Sequence, residues 1–109
     1  MKKAFLLLIA SSLIVVLAVA HADEKKTKPD CTFHGMKLWG KVQFVNSSPD
    51  LKVKAVDAFP DLKVKMVNAF PDKCGLWQRV DALPDLKVQM VENFPDIKIK
   101  FVDAFPGLP

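Results

Sequence analysis

A Pro-Asp pair returns through the C-terminal two-thirds of this chain, at Pro49, Pro60, Pro71, Pro84 and Pro95, and a clipped ending starts at Pro106. The regular spacing is eleven residues. Eleven residues would suit three turns of a long amphipathic helix. Proline excludes that, because each interior copy removes a backbone donor and costs a helix about 3 kcal/mol. The unit between prolines reads Pro-Asp-Leu-Lys-Val-Lys-x-Val-Asp-Ala-Phe. It is too short to bury its own apolar face, so several copies must assemble around one shared core.

Within a unit the pattern is that of a strand. Leu51, Val53 and Ala55 alternate with Lys52 and Lys54; Leu62, Val64 and Met66 alternate with Lys63 and Lys65; Ile97, Ile99 and Phe101 alternate with Lys98 and Lys100. Alternation with period two marks a half-buried strand, and the β-branched residues agree. The phase then slips, so Val56, Val67, Val91 and Val102 point to the opposite face or sit at a bulge. Phe-Pro-Asp reads as a turn, with proline fixing φ and aspartate capping nearby N–H groups. The large aromatics, Phe59, Phe70, Phe94, Phe105, Trp39 and Trp77, are expected to fill the core of so small a domain.

The N-terminus carries its own signature. Lys2 and Lys3 precede an apolar run from Ala4 to Ala20, which closes on Ala20-His21-Ala22. A charged start, an apolar stretch and small residues at an A-x-A site predict a secretory signal peptide over residues 1–22, cleaved after Ala22. An uncleaved anchor is the rival, although the run sits at the short edge of a bilayer span. Without residues 1–22, the remaining 87 residues hold 14 basic and 12 acidic side chains, a net charge of about +2. Both signs mix along the same units, so the balance gives little support to nucleic acid as a partner.

Export bears on Cys31 and Cys74, the only cysteines. An oxidising compartment predicts a disulfide between them, worth about 3–4 kcal/mol for a loop of this length. Two free thiols, or half of a metal site, are the alternatives. Two units are irregular. Residues 38–48 (LWGKVQFVNSS) form a degenerate first copy without Pro-Asp, and the unit from Pro71 to Leu83 has thirteen residues, with Lys73-Cys74-Gly75 widening its start and Trp77 in place of valine. The organisation is therefore a signal peptide (1–22), an N-terminal polar segment carrying Cys31 (23–37) and a repeat domain (38–109). Residues 23–30 (DEKKTKPD) are expected to be disordered.

The series GKVQFVNSS, PDLKVKAVDAF, PDLKVKMVNAF, CGLWQRVDAL, PDLKVQMVENF, PDIKIKFVDAF, PGLP resembles the 7(1) septoil knot domain family. That family repeats A/P-D-L-K-V-x-x-V-D-S-x and interrupts its middle unit with Gly-x-Trp, matched here by Gly75-Leu76-Trp77. This chain departs in placing phenylalanine where the family carries more polar turn residues, and in lacking the first acidic start. The resemblance implies an all-β, compact, repeat-built domain of short strands wound into a seven-crossing torus knot. Periodicity alone leads only to a β-solenoid or small sandwich, since chains are generally unknotted. The resemblance supplies no activity.

The residues supply none either. The repeated aspartates at 50, 61, 72, 85 and 96, with Asp57, Asp81 and Asp103, lack the glycine-rich nonapeptides of a calcium β-roll. Identical copies single out no catalytic carboxylate pair. His34 lies near Cys31, but a disulfide would remove that nucleophile. No catalytic, cofactor-binding or metal-binding residue is therefore assigned. The expectation is a non-enzymatic structural or interaction module of the bacterial cell envelope, periplasmic or secreted. It would act through an unidentified protein or envelope partner, without nucleic acid and without stable membrane insertion after cleavage. Lysine pairs 52/54, 63/65 and 98/100 offer a rival, recognition of an anionic glycan or lipid. A small secreted inhibitor or effector is another.

Overall fold

A computed structural model describes residues 26–109. Eight strands run in order: β1 (Thr32–Phe33), β2 (Met36–Lys37), β3 (Gly40–Phe44), β4 (Leu51–Ala55), β5 (Leu62–Met66), β6 (Leu76–Arg79), β7 (Leu86–Met90) and β8 (Ile97–Phe101). The first two make a small antiparallel hairpin. The other six close into a barrel of order β3-β6-β5-β8-β4-β7, parallel at every pairing. The fold is all-β and repeat-built, a closed barrel rather than the solenoid or sandwich that periodicity alone suggests.

Each of the four regular units places its leucine or isoleucine and its valine or isoleucine inward. Leu51, Val53, Leu62, Val64, Leu86, Val88, Ile97 and Ile99 are all buried, and Val42 and Trp77 complete the interior. Neighbouring strands are offset by two residues at every seam: Val42 faces Leu86, Val53 faces Ile97, Ile99 faces Leu62 and Met66 faces Trp77. A constant offset tilts the strands steeply. The tilt carries each strand's end toward the start of a later one. Returns as short as residues 56–61 therefore suffice where parallel strands usually need a dozen or more residues. The same offset gives equivalent residues of the six units one level on the barrel.

Consecutive strands do not sit side by side. β3, β4 and β5 take alternate places, and β6, β7 and β8 fill the gaps between them. The exception is β5 to β6, which are neighbours, and the link between them is the widened one at residues 67–75. The irregular unit is thus where the chain passes from its first set of places to its second.

Two local expectations are corrected. Met66, Met90 and Phe101, the last strand residues, keep inward parity but are exposed, because the barrel ends there. Phe44 likewise ends its own strand, and the Arg79 guanidinium lies over it, 5.9 Å from the ring. Of residues 23–30, expected to be disordered, 23–25 lie outside the described residues, while the end of the segment is held: Cys31 N–H donates to the Lys28 carbonyl and Lys28 N–H to that of Thr32. Residues 1–22, read as a signal peptide, lie outside the described residues.

Candidate interaction surface

The aspartates position the returns. Asp61 N–H donates to the Lys98 carbonyl (2.7 Å), while Lys98 N–H donates to the Asp61 carboxylate (2.8 Å). Asp50 pairs with Lys87, Asp85 with Lys41 and Asp96 with Lys52 in the same two-way manner. The expected cap is therefore not local: each carboxylate closes a seam with another unit. Lysine is its partner through the main chain. For Lys63 the seat is taken by Gly107, which exchanges both backbone bonds with it. The clipped last unit completes the sequence of seats by backbone alone.

Each return straddles one strand. Residues 56–61 are held at both ends by β8, through Val56 N–H to Ile99 and Asp61 to Lys98. Residues 91–96 are held likewise by β4, and residues 102–107 by β5. Midway, the chain reverses through a left-handed backbone at Ser48, Phe59, Phe70, Leu83, Phe94 and Phe105, with φ between 52° and 57°. The following proline disfavours the right-handed helical region, and the reversal takes the left-handed one. A residue with a β-carbon pays about 1–2 kcal/mol there.

Phenylalanine at such a site gains nothing back from packing. Phe59, Phe94 and Phe105 are 93%, 92% and 87% exposed, Leu83 is equally open and Phe70 nearly so. This overturns the expectation that these phenylalanines fill the core. The barrel interior is already satisfied by the two inward residues of each strand, and a left-handed turn throws the side chain away from it. Among the described aromatic residues only Trp77 is buried, its indole donating to the Leu38 carbonyl (3.1 Å); Trp39 is half-buried.

The topology also sorts the lysines. The three strands with lysine at both outward positions, β4, β8 and β5, are consecutive around the barrel. Their register sets Lys54 beside Lys98 and Lys63 beside Lys100. Like charges opposite one another oppose pairing rather than aid it. The other half replaces the second lysine by glutamine. Gln43, Gln78 and Gln89 each donate to a turn carbonyl, of Asp81, Asn68 and Asn46 respectively. One wall thus carries Lys52, Lys54, Lys63, Lys65, Lys98 and Lys100, crossed by the returns bearing Phe59, Phe94 and Phe105. Each of those returns also carries one exposed acid, Asp57, Glu92 or Asp103.

The strand-start end is stoppered. Cys31 and Cys74 form a disulfide, and Leu38 is buried with Phe33, Met36, Trp39 and Leu108 packed nearby. Bonding of Cys31 to Cys74 removes the nucleophile from any pairing with His34, whose ring sits edge-on to Phe33 at 4.2 Å. Shallow grooves border this end, one of about 520 Å³ beside Trp39, Pro106 and the disulfide. Among the described residues no three His, Cys, Asp or Glu side chains gather as a metal site.

The family model of the 7(1) septoil knot domain matches residues 35–109. The chain belongs to that family. The match starts in the tight turn between β1 and β2 and runs to the last residue, so the septoil knot domain here includes the second strand of the hairpin as well as the barrel. No curated protein matches the chain. Nothing in the family description names a ligand, and the surface of this septoil knot domain has to be read from its own residues.

Proposed function

We propose that this septoil knot domain is an exported, non-enzymatic interaction module of the bacterial cell envelope. The observation that carries the reading is the exposure of Phe59, Phe70, Leu83, Phe94 and Phe105, held outward by an unfavourable backbone on a closed barrel. A side chain that costs conformational energy and contributes no packing is explained by what it touches outside the chain. The charged n-region, apolar run and A-x-A site support export, as does a disulfide, which persists in oxidising compartments. Closure of the barrel removes the free strand edges through which small β domains often pair, leaving the returns as the contact surface.

The lysine wall of β4, β8 and β5 favours a more specific version, in which the partner is an anionic glycan or lipid of the envelope. The reading is tested by intact mass of the protein recovered from the exported fraction, with and without reduction and alkylation. A mass of residues 23–109 less two hydrogens is expected. Retention of residues 1–22, or confinement of the protein to the cytoplasm, would overturn it.

A further inference from the structure

We infer that the wall formed by β4, β8 and β5 is a docking face for the surface of an anionic phospholipid bilayer, with Phe59, Phe94 and Phe105 entering the acyl boundary and the six lysines reaching headgroup phosphates. The inference rests on the interaction-module reading above and names its partner.

Three observations converge on lipid. The knobs are phenylalanine, with no polar handle, and the chain contains no tyrosine. A phenylalanine ring buries a large apolar area and brings no hydroxyl or N–H that must find a hydrogen-bond partner. A hydrocarbon boundary asks for none. Next, the knobs repeat. Three equivalent side chains on three adjacent returns present the same chemistry at the same level of the barrel. A fluid interface accepts such repetition without matching shape.

The third observation is the coincidence of charge with the knobs. Each of the three strands bearing paired lysines is straddled by a return bearing phenylalanine: β8 by Phe59, β4 by Phe94 and β5 by Phe105. On the other half the corresponding residues are Ser48, Leu83 and Phe70, over strands with glutamine at the second outward position. Lysine stems lie along apolar surface while their ammonium groups reach outward, which suits a phosphate layer just above the rings. Against Asp57, Glu92 and Asp103 the wall sets six lysines, while the Asp61 and Asp96 carboxylates face main-chain N–H groups. Among the described residues no helix is long and apolar enough to cross a bilayer.

The protein's own repeats provide variants that its fold accommodates. Lys54→Gln/Lys65→Gln/Lys100→Gln installs the residue found at 43, 78 and 89, and Phe59→Ser/Phe94→Ser/Phe105→Ser installs the residue found at 48. The exported protein, with whatever N-terminus it carries, is floated with phosphatidylglycerol/phosphatidylethanolamine vesicles and with phosphatidylcholine vesicles, at low and high salt. The expected result is binding to the anionic vesicles that weakens with salt. The lysine triple variant should lose at least about tenfold in partitioning, given roughly fivefold per lysine near a charged surface. The serine triple variant should lose about as much on both vesicle types. Phe70→Ser, on the opposite half, should bind as the parent does.

Failure of the parent to float overturns the inference. So does a serine triple that binds undiminished, which would indicate an anionic polymer site instead. Equal damage from Phe70→Ser would remove the assignment to one face. Should the serine triple lose cooperative unfolding, Phe59→Ser alone is read. The mass measurement reports on export and flotation on lipid, so the two readings fail separately.

Discussion

The residue before each proline carries most of the tension in this chain. Phe59 pays for a left-handed backbone and is 93% exposed, so the fold itself would be better served by a residue suited to that region. Phe59→Asn should therefore raise stability by about 0.5–1 kcal/mol, seen as a higher Tm. A fall of similar size would mean that the ring supports the barrel and would weaken the case for a binding role. The aspartate two residues later behaves oppositely. Asp96 accepts the Lys52 N–H at 2.8 Å, a bond to an ionised acceptor. Asp96→Ala should cost about 1.5–3 kcal/mol in chemical denaturation, and Asp96→Asn, which keeps an acceptor, appreciably less.

At the scale of the element, the repeat describes four strands well, while the units of β3 and β6 carry Gly40 and Gly75 at the leucine position. The alternation of Leu51 with Val53 or Ile97 with Ile99 predicts their burial, because two inward residues per strand are all the barrel holds. It fails at the third member of each series, since nothing in the periodicity says where the barrel ends. Immediately before β6 the leucine position is Gly75, and a β-carbon there would collide with the Lys63 carbonyl and the Gly107 amide, at φ +82°. The space that a leucine fills elsewhere goes to the indole of Trp77, tied to Leu38. Trp77→Val would restore the repeat pattern and yet should destabilise by about 3 kcal/mol or more, because it empties a buried volume with no leucine beside it. Urea unfolding measures this directly; a neutral result would show that the neighbouring units collapse to fill the gap. The turn side chains were the hardest to place from sequence. An apolar phenylalanine at a fixed spacing looks like core until the sign of φ at that residue is known, and an eleven-residue pattern does not reveal φ.

For the whole molecule, order around the barrel is the property least visible in the chain. Local pattern gives six similar strands; it is indifferent to which is next to which, and the places of β6, β7 and β8 between the earlier strands emerge only from closure. The basic wall is a consequence, since three lysine-paired units separated in sequence by two others become adjacent in space. The disulfide acts on this scale as well. Cys31 and Cys74 are 43 residues apart, and the bond ties the hairpin to the return between β5 and β6, where the chain changes from one set of strand places to the other. Its removal by Cys31→Ser/Cys74→Ser should cost about 2–4 kcal/mol. The loss should be unequal across the structure. The barrel seams are closed by main-chain bonds and by Asp50, Asp61, Asp85 and Asp96, none of which involves the hairpin. The hairpin is held by its own two residue pairs, by the local bonds of Leu38 N–H to Cys31 and Lys28 N–H to Thr32, and by the packing beneath it. Hydrogen exchange on the double variant should show amides of residues 31–38 opening locally, while those of Val56, Val91 and Val102 open only with global unfolding. Uniform loss of protection throughout would instead make the stopper a condition of barrel closure, and the domain would then be cooperative from Cys31 to its last residue.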